Sequence, residues 1–233
     1  MLGDEVNPIR EQSKISDMST ILQKVFMMMG MGLLVTAITA FVVVSVPTFF
    51  VSTMQTYPIW IIAELILVII LSLNLTKMGK GTCTLFFYIY SIINGITLSS
   101  IFIAYDLGTI GSTFLITSVM FFAISFYGKT TKKDLSGIGS FGLMALVGLI
   151  IAGIINIFIM NSMLDFIISV IGIALFIGIT AYDVQKIEAI SQKADFSNED
   201  ATTQVVVWGA LNLYLDFINI FLKLLRLFAR RRD

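Results

Sequence analysis

Apolar residues run in seven long stretches, at roughly 22–46, 58–76, 82–104, 109–127, 138–160, 164–186 and 204–228, separated by short polar connections. A helix needs about 20 residues to cross a bilayer, and in lipid a helix satisfies its own backbone groups. The pattern therefore predicts an all-α integral membrane protein, a seven-transmembrane-helix bundle. Residues 1–21 form a short cytoplasmic N-terminal segment in this reading, 22–228 a single transmembrane domain and 229–233 a basic C-terminal tail. Pro47 and Pro58 bracket the connection after the first span, and Pro8 is the only other proline, so no span should carry a proline kink.

Basic residues fall in alternate connections. Arg10, Lys14 and Lys24 precede or edge the first span; Lys77 and Lys80 follow the second, Lys129, Lys132 and Lys133 the fourth, and Lys186 and Lys193 the sixth. Cytoplasmic loops carry the excess of Lys and Arg, so the N-terminus is read as cytoplasmic. The end of the chain departs from this rule: seven full crossings put Lys223, Arg226, Arg230, Arg231 and Arg232 outside. A re-entrant segment would return the tail inside, but the length of every segment favours seven crossings, and the side of the tail stays open. Gly30, Gly32, Ala145, Gly148 and Ala152 are read as small residues that let helices approach closely, and the run Met27–Met29 with Met31 as packing.

Composition removes whole classes of chemistry. The chain of 233 residues is 57% hydrophobic and 13% charged, against about 45–50% and about 25% for a soluble domain, so no large soluble domain fits beside the spans. Fifteen basic and fifteen acidic residues leave no net charge and no nucleic-acid footprint. With one cysteine, Cys83, and no histidine, an intrachain disulfide, the common zinc sites and His-based catalysis are excluded. Proton chemistry falls to carboxylates.

Ionisable residues inside spans are costly and point to function. Glu64, Asp183 and Asp216 are such residues, whereas Asp106 and Asp165 sit at loop edges and read as solvated. In the last stretch Asn212, Asp216, Asn219, Lys223 and Arg226 recur at spacings of four, three, four and three, one helical face about 21 Å long. Such a stripe should avoid lipid, which places the last helix near the middle of the bundle, with Lys223 and Arg226 snorkelling to the interface in the plainer reading. Asp183 and Thr180 share a face of the sixth span, and the seventh starts from the same side. Two carboxylates brought together there share a proton and titrate as a pair. Glu64 reads as either a wetted interfacial group or a ligand at a mouth. Tyr90, Asn94 and Thr97 share a face of the third span, compatible with a lined pathway or with bonds between helices.

Three blocks carry a resemblance to a known family: Asn94-Gly95-Ile96-Thr97-Leu98-Ser99 with Ile101-Phe102; Thr180-Ala181-Tyr182-Asp183-Val184-Gln185-Lys186-Ile187; and Ala210 to Phe221 with Leu224-Leu225-Arg226. In order and spacing they resemble the Bax-inhibitor family, the transmembrane Bax inhibitor motif proteins, in a prokaryotic form. The resemblance implies a seven-helix bundle with the last helix surrounded by the others. It also implies a pH-sensitive calcium leak channel of the inner membrane, with Asp183 and Asp216 as the paired aspartates that sense protons and meet the ion. An arginine that the family often carries toward the inner end of the second helix is absent from Leu71 to Lys77, leaving Lys77 for that role.

The expectation is thus a non-enzyme. Calcium, a hard cation that takes oxygen ligands, is its cargo, with protons and the bilayer as its other partners and no organic cofactor. Asn94, Thr97, Thr180, Glu64, Asn212, Asn219, Lys223 and Arg226 line the pathway in this reading. Alternatives are an intramembrane aspartyl protease, a proton-coupled transporter and a non-conducting membrane regulator. Tyr182-Asp183 fits the protease pattern, but Leu213-Tyr214-Leu215 stands where Gly-x-Gly should precede the second aspartate.

Overall fold

A computed structural model describes residues 8–192 and 198–229, with side chains over 20–192 and 198–228. Lys193, Arg230, Arg231 and Arg232 of the charge pattern lie outside the described residues, as do the side chains of Arg10 and Lys14. The described chain is helical, in the order α1 (Pro8–Ser45), α2 (Pro47–Gln55), α3 (Tyr57–Asn74), a 3-10 turn (Leu75–Lys77), α4 (Lys80–Leu98), α5 (Ile101–Ala104), α6 (Leu107–Thr130), α7 (Ser136–Ile159), α8 (Ser162–Ser191) and α9 (Glu199–Ala229). Seven helical segments are long and apolar enough to cross a membrane: Thr20–Ser45, Tyr57–Lys77, Lys80–Ala104, Leu107–Thr130, Ser136–Ile159, Ser162–Ser191 and Glu199–Phe228. They coincide with the seven apolar stretches to within five residues at every end. The protein is a multi-pass, all-α membrane protein.

Three departures from the expected outline have local causes. Helix α1 begins at Pro8, so the polar segment before the first span is helical rather than a bare tail. The connection after that span is itself the helix α2, with Pro47 at its first position, where a proline loses no hydrogen bond and its φ suits the helix. The third span is notched: α4 ends at Leu98, and α5 starts only after Ser99 and Ser100.

The connections are closed by side chains. Asp106 caps α6 by accepting from the Thr109 amide at 2.9 Å. Asp134 accepts from the Ser136 amide at 2.9 Å, and this bond holds its carboxyl below the usual carboxylate range. Helices α7 and α8 turn on Met160, left-handed at φ 52°, and on Asn161, whose Oδ1 accepts from the Met163 and Leu164 amides at 2.9 and 3.0 Å.

Two compact units divide the chain, one of Met1–Thr97 with Lys186–Leu211, the other of Leu98–Gln185 with Asn212–Asp233. In the first, α4 meets α1 closely: a Cβ on Gly95 would lie 2.7 Å from the Thr36 carbonyl oxygen, and the Thr36 hydroxyl reaches the Ser91 carbonyl at 2.9 Å. Here also the first turn of α9 closes the α3–α4 connection. The Lys80 amide donates to Asp200 Oδ1 at 2.9 Å, and the Gln204 amide group donates to the Met78 carbonyl at 2.8 Å. In the second unit α6 meets α8 at Gly128, where a Cβ would lie 2.5 Å from the Ala181 carbonyl oxygen. Phe176, Ile220 and Leu224 form a buried apolar cluster in this unit, and the Phe217 ring packs edge-on against Phe114 and Phe121 at 5.3 and 5.6 Å.

Burial separates the spans. For α9, 67% of the apolar window is buried, against 6% for α7, so α9 is the most enclosed span and α7 the most open to lipid. Gly148 of α7 has nothing within 4 Å of a built Cβ, and neither has Gly30, so neither marks a close helix contact; Gly32 does, against the Phe87 ring. Of the methionine run, Met29 is buried but Met27 and Met31 are exposed, so those two face lipid rather than packing inward.

Gly128→Ala should therefore lower the melting temperature of the detergent-solubilised protein by several degrees, because helix backbone would have to move, at a cost of about 1–3 kcal/mol. Gly148→Ala should leave it unchanged or raise it slightly. Equal effects of the two substitutions on a thermal unfolding curve would contradict the close approach at Gly128.

Candidate functional site: carboxylates inside the spans

Asp183 lies on α8 and Asp216 on α9, both in the second unit, and both are buried, at 9% and 4% exposure. They lie close enough for each to act electrostatically on the other, and Thr180 lies within hydrogen-bonding reach of Asp216. The Thr180 hydroxyl is fully buried and donates to the Phe176 carbonyl, one turn back on α8, at 2.7 Å. A hydroxyl has one proton to give. The Thr180 hydroxyl thus stands between the Phe176 carbonyl and the Asp216 carboxyl, two acceptors for one proton. Asp216 Oδ2 has no hydrogen-bond partner among the described residues.

The local sequence places these groups. Gly128 lets α8 come close at Ala181, and Gly139 receives the face of the Tyr182 ring, whose atoms lie 2.5 Å from where a Cβ would stand. Gln185 then ties α8 to the α6–α7 connection, accepting from the Leu135 amide at 3.0 Å and donating to the Lys133 carbonyl at 2.9 Å. Asp183 is therefore within a turn of the Lys129–Lys133 side of the membrane, although α8 itself runs on to Ser191. Pattern reading missed Gln185 and Gln204 as the groups that close connections. A polar side chain at the end of an apolar stretch was the available signal.

The stripe on α9 is present as a spacing, but its members do different things. Asn212 and Asn219 are half-buried, and the Asn219 amide donates to the Leu215 carbonyl of its own helix at 2.8 Å. Arg226 pairs with Asp165 of α8 at 3.7 Å, with both side chains about half exposed, so Asp165 is both solvated and an ion-pair partner. Tyr105 lies near both of them, and burial raises its phenol above the ordinary value. Lys223 packs its stem over Gly172 of α8, with Cε 2.9 Å and Cδ 3.2 Å from where a Cβ would be.

Glu64, on α3 in the first unit, is neither simply wetted nor bare. Its carboxylate accepts from Tyr90 Oη at 3.2 Å, from Asn94 Nδ2, and from Thr97 Oγ1 at 2.8 Å. The three donors are the polar face of α4 expected from spacing, and all are buried. Lys77 is exposed in the 3-10 turn and makes no ion pair among the described residues, so nothing in its surroundings supports a latch. Among the described residues no three His, Cys, Asp or Glu gather as metal ligands; a cation at the aspartate pair would have to complete its shell with Thr180, carbonyls and water.

Seven spans with paired carboxylates buried between two of them define a class of multi-pass helical membrane protein whose interior carries titratable acids. Residues 18–233 match the family described as "Inhibitor of apoptosis-promoting Bax1", and the chain belongs to that Bax inhibitor family. The inner membrane protein YbhL of Escherichia coli strain K12 is 46% identical over 172 residues, 74% of each chain. A protein of Borreliella burgdorferi is 39% identical over 227 residues, 96% of this chain and 97% of its own length. One of Rickettsia prowazekii is 37% identical over 212 residues, 90% and 89% of the two chains.

Removing the Glu64 carboxylate takes an acceptor from Tyr90 Oη and Asn94 Nδ2 and one of two acceptors from Thr97 Oγ1, at about 1–3 kcal/mol for each buried group left short. Glu64→Ala should therefore melt well below Glu64→Gln, which keeps one acceptor oxygen. The order is read from thermal unfolding in micelles, and an alanine variant as stable as the glutamine variant would contradict the three-donor site.

Proposed function

We propose that this protein is a calcium leak channel of the bacterial inner membrane, gated by protonation of the Asp183/Asp216 pair, with its N-terminus cytoplasmic. The observation that carries this reading is the burial of two interacting carboxylates beside Thr180 in a chain without histidine. Two charges a few ångströms apart repel by about 4 kcal/mol at an effective dielectric of about 20, so the pair holds a proton until a cation or a rearrangement compensates the second charge. A protonated pair joins α8 to α9 by hydrogen bonding; a doubly ionised pair drives them apart or takes up calcium, which prefers oxygen ligands.

The reading is of a channel rather than an enzyme. The residues before Asp216, Leu213-Tyr214-Leu215, form a continuous apolar helix with no glycine to open backbone beside the acid, which favours a gating role for the pair over peptide hydrolysis. The family relationship is compatible with this reading and supplies no reaction of its own.

Calcium entry into dye-loaded proteoliposomes, followed from pH 5 to 8, tests the proposal. Wild type should show a pH-dependent flux. Asp183→Asn and Asp216→Asn each mimic a permanently protonated member, so both should hold the flux of the acidic end across the whole range. A flux that keeps its pH dependence in both variants, or no flux above empty liposomes at any pH, would overturn it.

A further inference from the structure

Four residues on one side of α8 are held from behind. A Cβ on Gly178 would lie 3.0 Å from Ile138 of α7, Ala181 meets Gly128 of α6, the Tyr182 ring covers Gly139 of α7, and Gln185 bonds the α6–α7 connection. At about 100° per residue, Gly178, Ala181 and Gln185 stand about 140–160° around the helix from Asp183, and Tyr182 about 100° from it. Asp183 and Thr180 occupy the other side, where Asp216 of α9 acts on the first and lies within hydrogen-bonding reach of the second. The second unit thus backs α8 with α6 and α7 and presents its acid to α9.

Three of these contacts are close packing, which limits approach but does not fix rotation. Gln185 differs. Its Oε1 accepts from the Leu135 amide at 3.0 Å and its Nε2 donates to the Lys133 carbonyl at 2.9 Å, so one side chain makes two directional bonds to backbone. The connection that receives them is itself anchored, with Leu135 buried at 4% exposure. Hydrogen bonds weaken steeply with misalignment, and two of them on one amide fix both the rotation of α8 and its level. Asp183 stands two residues away, about 3 Å along the helix.

We propose that Gln185 is a positioning residue of the paired-aspartate site: from the back of α8 it holds the Asp183 side turned toward α9. The proposal rests on the leak-channel reading above and adds to it the group that keeps the two carboxylates in register. A cation shared by two carboxylates takes its oxygen ligands within a narrow range of distance, so a small turn of α8 carries one ligand out of reach. Loss of a group that supports a ligand from behind typically weakens a cation site about 10–100-fold. A group that only closed a connection would change the amount of folded protein and leave the affinity of the site alone.

Two measurements test this on Gln185→Leu and on Gln185→Met, which keeps the length of the side chain where leucine disturbs folding. Gln204→Leu is the control, since it removes an amide that closes the α3–α4 connection. In proteoliposomes, calcium flux is followed against calcium concentration. The Gln185 variants should raise half-saturating calcium about tenfold with little change in maximal rate, and Gln204→Leu should leave half-saturation at the wild-type value. The second measurement needs no flux. Asp183→Cys and Asp216→Cys are combined in a Cys83→Ala background, and oxidative cross-linking of the pair is timed. Adding Gln185→Leu should slow it severalfold; adding Gln204→Leu should not. Cross-linking as fast with Gln185→Leu as without it, or slowed equally by both leucine variants, overturns the positioning role, and so does a lower maximal rate at unchanged half-saturation. The two proposals fail separately. Slowed cross-linking in a protein that passes no calcium removes the channel and leaves Gln185 as the group that orients the pair. Flux that depends on both aspartates, with cross-linking indifferent to Gln185→Leu, leaves the channel and removes the positioning role.

Discussion

A carboxylate that leaves water must either surrender its charge or find groups that stabilise it, and inside a bilayer the penalty for doing neither is several kcal/mol. The chain meets this constraint in three ways. Glu64 gathers three neutral donors from one face of α4. Asp165 takes an arginine. Asp183 and Asp216 lie within electrostatic reach of each other, with Thr180 beside Asp216. The first two solutions give each carboxylate partners other than a second acid. The third sets two acids against each other, which is why the proposed gate rests on the pair and not on Glu64.

Much of this was legible in the sequence because lipid imposes length and hydrophobicity so strictly. The seven spans could be read to within a few residues, and so could the shared face of Thr180 and Asp183 and the facing Asp216, since a 3.6-residue period fixes direction around a helix. What could not be read is how each polar group is satisfied. Tyr90, Asn94 and Thr97 were visibly on one face, and Glu64 was visibly inside a span, but spacing within one helix carries no information about which neighbour it meets. The same limit hid the roles of Gln185 and Gln204, whose partners are backbone atoms far along the chain. Gly148 and Gly128 look alike in sequence. One faces open space and the other the backbone of α8, a difference made entirely by tertiary packing.

The helical connection α2 and the early start of α1 show a second kind of limit. Proline at a connection was read as a breaker, yet Pro47 sits at the first turn of α2, where its fixed φ starts a helix rather than ending one. Pro58 does the same in the first turn of α3. A proline marks a boundary without saying on which side of it the helix lies.

The placement of Lys223 and Arg226 also bears on the puzzle that the end of the chain poses for topology. The rule that places positive charge in the cytoplasm concerns residues flanking the spans. Lys223 and Arg226 both fall within the seventh span, Glu199–Phe228, so neither belongs to the segment beyond it. Of five basic residues that seem to oppose a seventh outward crossing, three remain, Arg230, Arg231 and Arg232, beside the acidic Asp233. Against them stand the lysines of the second, fourth and sixth connections, all on the opposite side in a seven-span chain. Counted from the end of the seventh span, the positive charge that opposes seven full crossings is thus three arginines rather than five basic residues, against lysines in three connections on the other side.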